Sequence, residues 1–309
     1  PNQEMWLGAV GVSDLDTNAT LDVADRFRIG SVTKTYIAAA ILSLIDDGAL
    51  NLDDELGLTV TAHPRGDDIT IRQLLNHTAG VPDFTQTAGF SPSEKWTAIE
   101  LVALVADLPL NFEPGTGYLY SNTHYVLLGM VIGAVTGDPW QDRVTEMVDA
   151  LELENTVALE PGEPWGDVVS GYLIDVDLSR YYKPSAIDAA ANMVSNAEDV
   201  AHWGQALFGG EVLSANSKLE QVADPIPIAT DIGYGLGAIL FDSGDDLEIG
   251  HNGSINGNVA WVGYRPAEDA TLVVMANAWI EDSPAGSEYL IDVSAALWET
   301  ILDCLDNSQ

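Results

Sequence analysis

The first feature of this sequence is the stretch Arg26-Phe27-Arg28-Ile29-Gly30-Ser31-Val32-Thr33-Lys34, which leads into an apolar segment at residues 36–45. That segment lacks Gly and Pro and is rich in Ala, Leu and Ile, which predicts a buried helix opened by Ser31. The helix is expected to run to about Asp47, where Gly48 ends it. We expect the rest of the fold to be built around this helix.

Ser31 and Lys34 are three residues apart, so a helix places both side chains over one face. A hydroxyl and an amine are then neighbours, and the unpaired N–H groups of the helix start lie close by. This arrangement suits nucleophilic attack on a carbonyl group. A capping serine followed by a surface lysine is the alternative, so the motif needs partners elsewhere in the chain.

Length and composition limit the class of protein. With 309 residues, 47% of them hydrophobic, the chain can form one large domain or two small ones with a sizeable core. No run of eighteen apolar residues occurs, so we predict no membrane span. The first residues do not resemble a signal peptide. Any export signal has therefore been removed or left out, and we expect a secreted, periplasmic or cell-surface protein.

The charge balance is extreme, with 48 acidic residues against 11 Lys and Arg and a formal net charge of −37. Such a surface repels nucleic acid and anionic lipid, which excludes both as partners. Self-repulsion should also destabilise the fold at low salt, whereas the Debye length falls to about 3 Å near 1 M salt. Adaptation to a saline habitat and an ordinary acidic secreted enzyme both fit this composition.

The order of the predicted elements indicates an α/β (α+β) fold. Helical spacing of apolar residues continues at 70–75, 95–109, 123–136, 140–151 and 195–208, whereas residues 161–184 are predicted to be irregular. Strands are predicted at 7–12, 234–240, 258–264 and 271–276, and an amphipathic helix at 287–305. The prediction is one domain, residues 1–309. Its antiparallel sheet comes from both termini (about 1–49 and 190–309), and a helical region, about 50–189, is inserted between them.

Two further motifs could supply the missing partners. Tyr120 and Asn122 lie in a predicted loop before a helix, where a phenol can relay a proton and an amide can orient a lysine or a substrate. His251 lies between Gly250 and Gly253 at the end of a predicted strand, and such glycines let the backbone approach a ligand. Taken alone, the first motif also fits a turn with a capping Asn, and the second fits a hairpin turn.

Taken together, Ser-x-x-Lys, Tyr-x-Asn and His-x-Gly in this order resemble the serine β-lactamase and DD-peptidase family of penicillin-binding proteins. Residues 25–35, 74–82, 118–129 and 234–237 are similar to segments of that family. The closest likeness is to D-alanyl-D-alanine carboxypeptidases of the serine type and their esterase relatives. The resemblance extends from about residue 7 to residue 276 and implies a β-lactamase/transpeptidase-like fold.

The resemblance also implies a role for each motif residue. Ser31 would be the nucleophile and Lys34 the group that takes its proton, which requires a lysine pKa close to neutral. Tyr120 would carry the proton to the leaving group, and Asn122 would hold Lys34 and the substrate amide. An acyl-enzyme on Ser31 is therefore expected, with a small molecule or peptide as substrate.

The late strand is expected to complete this site. His251 would occupy the place that a Lys fills in many relatives. The backbone N–H groups of Ser31 and Ser254 would form the oxyanion hole, with Asn252 and Gly253 in the substrate-binding wall. Loops 80–92 and 161–184 are expected to form the remaining walls of the pocket.

The chain departs from the carboxypeptidase pattern at three points. Asn252 stands where those enzymes usually have Thr, and Ile239 where the best-matching ones have Arg. Both family residues help to hold a terminal carboxylate, so an esterase, an amidase or an aminopeptidase for D-residues stays open. Relatives usually have a helix and a strand before the segment that matches Leu7. Both are missing from this sequence, either because the chain is trimmed or processed or because this part is lost, and we expect something else to cover the sheet edge.

Other classes of protein fit less well. The glycines at 233, 235 and 237 lack the dinucleotide-binding spacing, and no Gly-x-Ser-x-Gly occurs. The five His residues show no metal-ligand spacing, and His77, beside a helix end, is expected to be structural. Cys304 is the only cysteine and is expected to be a core residue. No cofactor or metal is predicted. The rival from another class is a non-catalytic binding protein of the same fold, and the sequence leaves the oligomeric state open.

Overall fold

The computed structural model describes residues 5–242, 244, 246–279 and 293–300. Every helix predicted between residues 31 and 209 is present, with ends that differ by a few residues, and α7 lies outside the predicted elements. The helices are α1 Thr33–Asp46, α2 Ile71–Leu75, α3 Ala98–Ala106, α4 Asn122–Thr136, α5 Trp140–Ala150, α6 Ala197–Gly209, α7 Ala215–Ala223 and α8, residues 293–300.

The main sheet has six antiparallel strands in the order β13-β12-β11-β10-β9-β8. These are β8 Ile226–Ala229, β9 Ile232–Tyr234, β10 Ile239–Asp242, β11 Leu247–Ile255, β12 Asn258–Arg265 and β13 Ala270–Ala276. Three smaller sheets have the orders β1-β2, β3-β7-β4 and β14-β5-β6. Their strands are β1 Val12–Asp14, β2 Ala19–Thr20, β3 Phe27–Arg28, β4 Val157–Ala158, β5 Tyr172–Leu173, β6 Val176–Asp177, β7 Met193–Ser195 and β14 Ala278–Trp279.

The prediction of a sheet built from both termini is wrong for the described residues. All six strands of the main sheet come from residues 226–276, whereas β1 pairs only with β2. The apolar run at 7–12 forms no strand before Val12, and Val10 is 91% exposed. A short apolar run lacks a buried face here, so its composition did not indicate a place in the sheet.

The strand predicted at 234–240 is confirmed only at its ends, because Tyr234 closes β9, Ile239 and Leu240 open β10, and residues 235–238 connect the two strands. Gly237 has a φ of 76° and lies so close to α1 that a Cβ atom there would be 2.3 Å from the Cβ of Ala38. The apolar composition of this segment reflects burial against α1 rather than a strand.

Helix α1 lies at the centre of the molecule, as predicted. Residues 36–42 are all fully buried, since α4 and α5 pack against this helix. The Tyr36 ring stacks on Trp203 of α6 at a centroid distance of 3.9 Å. A helix that is apolar on every side is stable only inside a core, and this burial fixes the position of the residues at its start.

The caps and irregular segments follow the sequence closely. Thr70 caps α2 through a capping box with Gln73, as its position predicts. Residues 161–184 are irregular apart from the short strands β5 and β6. Of the helix predicted at 287–305, residues 293–300 are helical, and the remainder lies outside the described residues.

No helix in the described part of the chain has both the length and the hydrophobicity needed to cross a bilayer.

Salt is expected to stabilise this fold, because a chain with a net charge of −37 carries many carboxylates that repel one another. Screening weakens their mutual repulsion, so the melting temperature should rise as NaCl increases from low to molar concentration. Differential scanning calorimetry across that range measures the effect. A flat or falling melting temperature would show that the acidic surface is not a saline adaptation.

Candidate active site

Ser31 lies in a 3₁₀ turn, Gly30–Val32, that continues directly into α1. Gly30 has a φ of 53°, and a Cβ atom there would lie 2.5 Å from the Ser254 nitrogen. Glycine is therefore required for both the conformation and the close approach. The turn places the Ser31 backbone directly against β11.

Lys34 is fully buried in the first turn of α1. Its Nζ atom lies within hydrogen-bonding distance of three acceptors, namely Ser31 Oγ at 2.9 Å, Asn122 Oδ1 at 3.0 Å and the Ala190 carbonyl at 2.9 Å. The predicted contact between the hydroxyl and the amine is thus present, and Asn122 touches the same amine.

The surroundings of Lys34 favour its neutral form. Burial lowers the pKa of Lys34 to about 7, although the negative charge of Asp83 raises it somewhat. Desolvation penalises the charged amine, and within the described part of the chain no carboxylate accepts a hydrogen bond from Nζ. A lysine of this kind can accept a proton from a neighbouring hydroxyl at neutral pH.

Tyr120 completes the group around Ser31. Its ring centroid is 4.8 Å from Lys34 Nζ, and its hydroxyl interacts with the Ser31 side chain. Burial raises the pKa of Tyr120 well above its ordinary value, so the phenol stays protonated. It can pass a proton along, whereas Lys34 is the group suited to act as base.

His77 fixes the backbone around Tyr120. Its carbonyl accepts from Leu119 N–H at 3.1 Å, its Nδ1 accepts from Ser121 N–H at 3.3 Å, and its ring lies 4.2 Å from the Tyr120 ring. Burial lowers the pKa of His77 well below its ordinary value, so the imidazole is neutral. These are structural contacts, as predicted for this residue, and they position a residue of the site.

The hairpin of β11 and β12 orients a second N–H group toward Ser31. Asn256-Gly257 has positive φ at both residues, which is a type I′ turn, and Ile255 pairs with Asn258 beside it. In such a two-residue hairpin the next pair, Ser254 with Val259, is not hydrogen-bonded between the strands. The Ser254 N–H therefore points away from β12, toward the turn that holds Ser31.

The backbones that carry the Ser31 and Ser254 N–H groups meet at this point, and the oxyanion hole expected from these two groups stays a prediction that this contact fits. A Cβ atom on Gly253 would lie 1.9 Å from the Ile29 carbonyl and 3.0 Å from the Ser31 nitrogen. The absence of a side chain at Gly253 lets the two backbones meet. Gly253 therefore contributes to the site through this close approach of the two backbones.

His251 does not face the cavity beside Ser31. The imidazole is fully buried, with Nδ1 2.6 Å from the Asn252 carbonyl and Nε2 2.9 Å from the Tyr234 hydroxyl. Because a carbonyl only accepts, Nδ1 carries the proton and Tyr234 O–H donates to Nε2. Burial lowers the pKa of His251 to about 3, so it is neutral. It orders the layer behind the site and supplies no charge there.

A cavity of about 550 Å³ opens above Ser31. Both loops predicted as walls contribute, Thr85 from one and four residues between 173 and 182 from the other, whereas Asn252 and Gly253 are not among the lining residues. Among the described residues, none that lines the cavity is charged. The cavity is lined by Ser31, Thr85, Tyr120, Asn122, Leu173, Leu178, Tyr181, Tyr182, Ile187, Ala191, Ser254, Ile255, Asn256 and Trp279.

Four features of the site were not predicted. The Asp83 carboxylate accepts from the Asn122 side chain at 2.9 Å, the Ala190 carbonyl contacts Lys34, Tyr234 pairs with His251, and Trp279 lines the cavity. Two of them had a signal in the sequence, because Asp83 directly follows the family-like segment 74–82 and Tyr234 opens the family-like segment 234–237. The described residues contain no group of three or more His, Cys, Asp or Glu placed to hold a metal ion.

Catalysis is expected to depend on pH through Lys34. The amine must be unprotonated to accept a proton, and its pKa is about 7. The rate constant kcat/KM should therefore fall as the pH drops through about 7, and at pH 5 only ~1% of the amine is free base. A pH profile with circular dichroism as the folding control tests this. Constant kcat/KM between pH 5 and pH 8 would exclude Lys34 as the base.

Comparison with known proteins gives a consistent result. The family model described as Beta-lactamase matches residues 1–296. The D-amino acid amidase from Ochrobactrum anthropi SV3, in complex with L-phenylalanine amide, superimposes with a TM-score of 0.86 at 28% identity. The matched region covers 96% of this chain and 89% of the amidase chain. The D-stereospecific amidohydrolase from Streptomyces sp. superimposes with a TM-score of 0.72 at 30% identity, and the matched region covers 82% of this chain and 83% of the amidohydrolase chain.

Penicillin-binding protein 4* of Bacillus subtilis (strain 168) is 28% identical over 280 residues, which are 82% of this chain and 60% of that protein. The chain spans about three fifths of the length of the curated relatives it matches.

Proposed function

This chain belongs to the beta-lactamase family of serine hydrolases, and from that premise we propose that it hydrolyses small amides and esters that carry no carboxylate. Amides of D-amino acids with an apolar side chain are the first candidates. The observation that carries this proposal is the uncharged, largely apolar cavity wall above Ser31.

The proposed acylation step uses the contacts around Ser31. As Ser31 Oγ bonds to the substrate carbonyl carbon, its proton passes to Lys34 Nζ, which lies 2.9 Å away. The carbonyl oxygen becomes an oxyanion held by the N–H groups of Ser31 and Ser254. The bond to the leaving group then breaks while the Tyr120 hydroxyl delivers a proton to it and is resupplied by Lys34. The acyl group remains on Ser31.

Deacylation follows the same route in reverse. A water molecule takes the place of the leaving group and gives its proton to the pair of Lys34 and Tyr120. Its oxygen bonds to the acyl carbon. The C–O bond to Ser31 breaks, the proton returns to Ser31 Oγ, and the carboxylic acid leaves.

The walls of the cavity support an apolar group on the substrate. Leu173 of β5 and Leu178, together with Tyr181, Tyr182 and Trp279, surround the space above Ser31. Aliphatic and aromatic walls of this type stabilise a buried hydrocarbon group through area removed from water. The two amide-hydrolysing structural neighbours fit this proposal.

The charges around the site disfavour a strict carboxypeptidase. Two arginines considered as partners for a terminal carboxylate are paired elsewhere, Arg72 with Glu220 at 3.0 Å and Arg265 with Glu248 at 3.2 Å, and His251 is neutral. A buried carboxylate without a cationic partner is costly. The net charge of −37 also attracts a substrate with a free ammonium group more than one with a carboxylate.

Relative kcat/KM values at one salt concentration test the proposal. The substrates are D-phenylalanine amide, its L-enantiomer, p-nitrophenyl butyrate and a diacetyl-lysyl-D-Ala-D-Ala peptide. We expect kcat/KM for the D-amide or the ester to exceed kcat/KM for the peptide by about tenfold or more, because the peptide would bury one unpaired charge. A clear preference for the peptide would restore the carboxypeptidase interpretation, and failure to hydrolyse any of the four would refute the proposed activity.

A further inference from the structure

We propose that Asp83 is the positioning residue that orients the Asn122 amide and thereby directs the lone pair of Lys34 at Ser31. This inference rests on the proposed hydrolase function and assigns a role to a carboxylate outside the three motifs. Asp83 precedes the short 3₁₀ turn Phe84–Gln86 and lies beside the start of α4.

The Asp83 carboxylate is fixed by four hydrogen bonds. Oδ1 accepts from the Thr85 N–H at 2.9 Å and the Thr85 hydroxyl at 2.8 Å. Oδ2 accepts from the Asn122 N–H at 3.2 Å and from its Nδ2 at 2.9 Å. A carboxylate held at both oxygens has little freedom to rotate, so it is a rigid reference point for the Asn122 side chain.

This contact selects one of the two orientations of the Asn122 amide. A carboxylate only accepts hydrogen bonds, so it must face the Nδ2 group of Asn122 and not the oxygen. Oδ1 then faces the other way, where it lies 3.0 Å from Lys34 Nζ. Asp83 therefore determines that Lys34 meets an acceptor at this position.

The consequence for Lys34 follows from the valence of a neutral amine. The free base has two N–H bonds and one lone pair, and it has three neighbours. Asn122 Oδ1 and the Ala190 carbonyl only accept, so they take both N–H groups. The lone pair is left for the third neighbour, the Ser31 hydroxyl, whose oxygen lies 2.9 Å from Lys34 Nζ. The proton of that hydroxyl is the one that Lys34 must remove.

A reversed Asn122 amide would have the opposite effect. Its Nδ2 would donate to the lone pair of Lys34, compete with the Ser31 hydroxyl and leave the amine less able to act as a base. Replacing Asp83 by a residue that can both donate and accept, or that cannot reach Asn122, removes the constraint on that orientation.

The test is the rate of Ser31 acylation by a p-nitrophenyl ester and by a p-nitrophenyl alkyl phosphonate. Asp83→Asn and Asp83→Ser should each slow acylation by about tenfold or more, the loss expected for a hydrogen bond to a charged group. A serine at this position can still cap the turn through the Thr85 N–H but cannot reach Asn122. The Ser variant therefore separates positioning from folding.

A matched control is available at Asp46, another carboxylate that accepts several hydrogen bonds, here from Ser214 and Ser217 at the start of α7. Asp46→Asn should lower the melting temperature and leave acylation unchanged. Loss of acylation in Asp46→Asn as large as in the Asp83 variants would show that the effect is general destabilisation.

The pH profile provides a readout that a purely structural role would not change. The charge of Asp83 raises the pKa of Lys34, so its removal should move the acid limb of the profile to lower pH. The other titratable groups that act on Lys34 or contact it are His77, His124, His251, Tyr120 and Tyr125. Burial lowers the pKa of the histidines and raises that of the tyrosines, so all five are neutral near pH 7.

A double-mutant cycle with Asn122→Ala completes the experiment. If Asp83 acts through the Asn122 amide, adding Asp83→Asn to Asn122→Ala should change acylation by less than about threefold. Full additivity of the two losses, or wild-type acylation and an unchanged pH profile in both Asp83 variants, would overturn the inference. A wild-type protein that neither hydrolyses the ester nor reacts with the phosphonate would instead overturn the proposed function.

Discussion

Lys34→Ala is expected to reduce the acylation rate of Ser31 by between ~10²- and 10⁴-fold, the range for loss of a general base. Lys34 contacts Ser31 Oγ directly, and burial brings its pKa to about 7. The neighbouring phenol of Tyr120 cannot take over, because burial raises its pKa well above the ordinary value. His251 is held by Tyr234 and the Asn252 carbonyl, so it does not reach Ser31 as a substitute.

The measurement is a single-turnover acylation rate with p-nitrophenyl butyrate, together with a melting temperature. Lys34→Met is included because it fills more of the space left by the side chain, and the exposed Lys95 provides a control in Lys95→Ala. Both Lys34 variants should be slow and folded, with Lys95→Ala as fast as the wild type. Acylation within threefold of wild type in a folded Lys34 variant would require a different base.

Tyr120→Phe is expected to reduce amide hydrolysis by about a hundredfold. The phenol interacts with the Ser31 side chain and stays protonated, which suits it to give a proton to the departing nitrogen. A p-nitrophenolate leaves without protonation. The loss should therefore be clearly smaller for a p-nitrophenyl ester than for an amide of the same acyl group.

Steady-state rates on such a matched amide and ester provide the test, with Tyr118→Phe as the control. Tyr118 belongs to the same group of aromatic rings but is not among the cavity-lining residues. An equal loss on both substrates would mean that Tyr120 does not protonate the leaving group. A large loss in Tyr118→Phe would show that packing of the rings is responsible.

The parts of the site that sequence predicted are those set by local geometry. The spacing of Ser31 and Lys34 was sufficient to predict their contact, because a helix start fixes the relative positions of residues three apart. Lys34 Nζ and Ser31 Oγ are in contact. The Tyr-x-Asn motif was recognised by resemblance, and its two residues lie beside Lys34. Two of the three predicted motifs thus meet at one amine.

The parts that sequence did not predict depend on tertiary contacts. Asp83 reaches Asn122 across 39 positions of sequence, and the Ala190 carbonyl reaches Lys34 across 156. A carbonyl has no residue type to recognise, and an Asp after a family-like segment has many roles. The side of β11 from which His251 projects could not be read from its glycine neighbours either, and it turned out to face Tyr234.

The errors in the fold have a related cause. Apolar residues at 7–12 and 234–240 have the composition of strands, yet the first run has no buried face, and in the second only the ends are strands while residues 235–238 pack against α1 as a connection. Composition reports burial, whereas a strand needs a neighbour with which to pair. The hairpin around Asn256-Gly257 carried the stronger signal, because that dipeptide favours the turn that orients Ser254.

The most direct test of the account is to identify the residue that becomes acylated. The protein is incubated with an alkyl phosphonate or a β-lactam, digested and examined by peptide mass spectrometry, with Ser31→Ala as the control. We predict one adduct per chain, on the peptide that contains Ser31, and none in the Ser31→Ala variant. An adduct on Ser121 or Ser254, or labelling that persists in Ser31→Ala, would contradict the account.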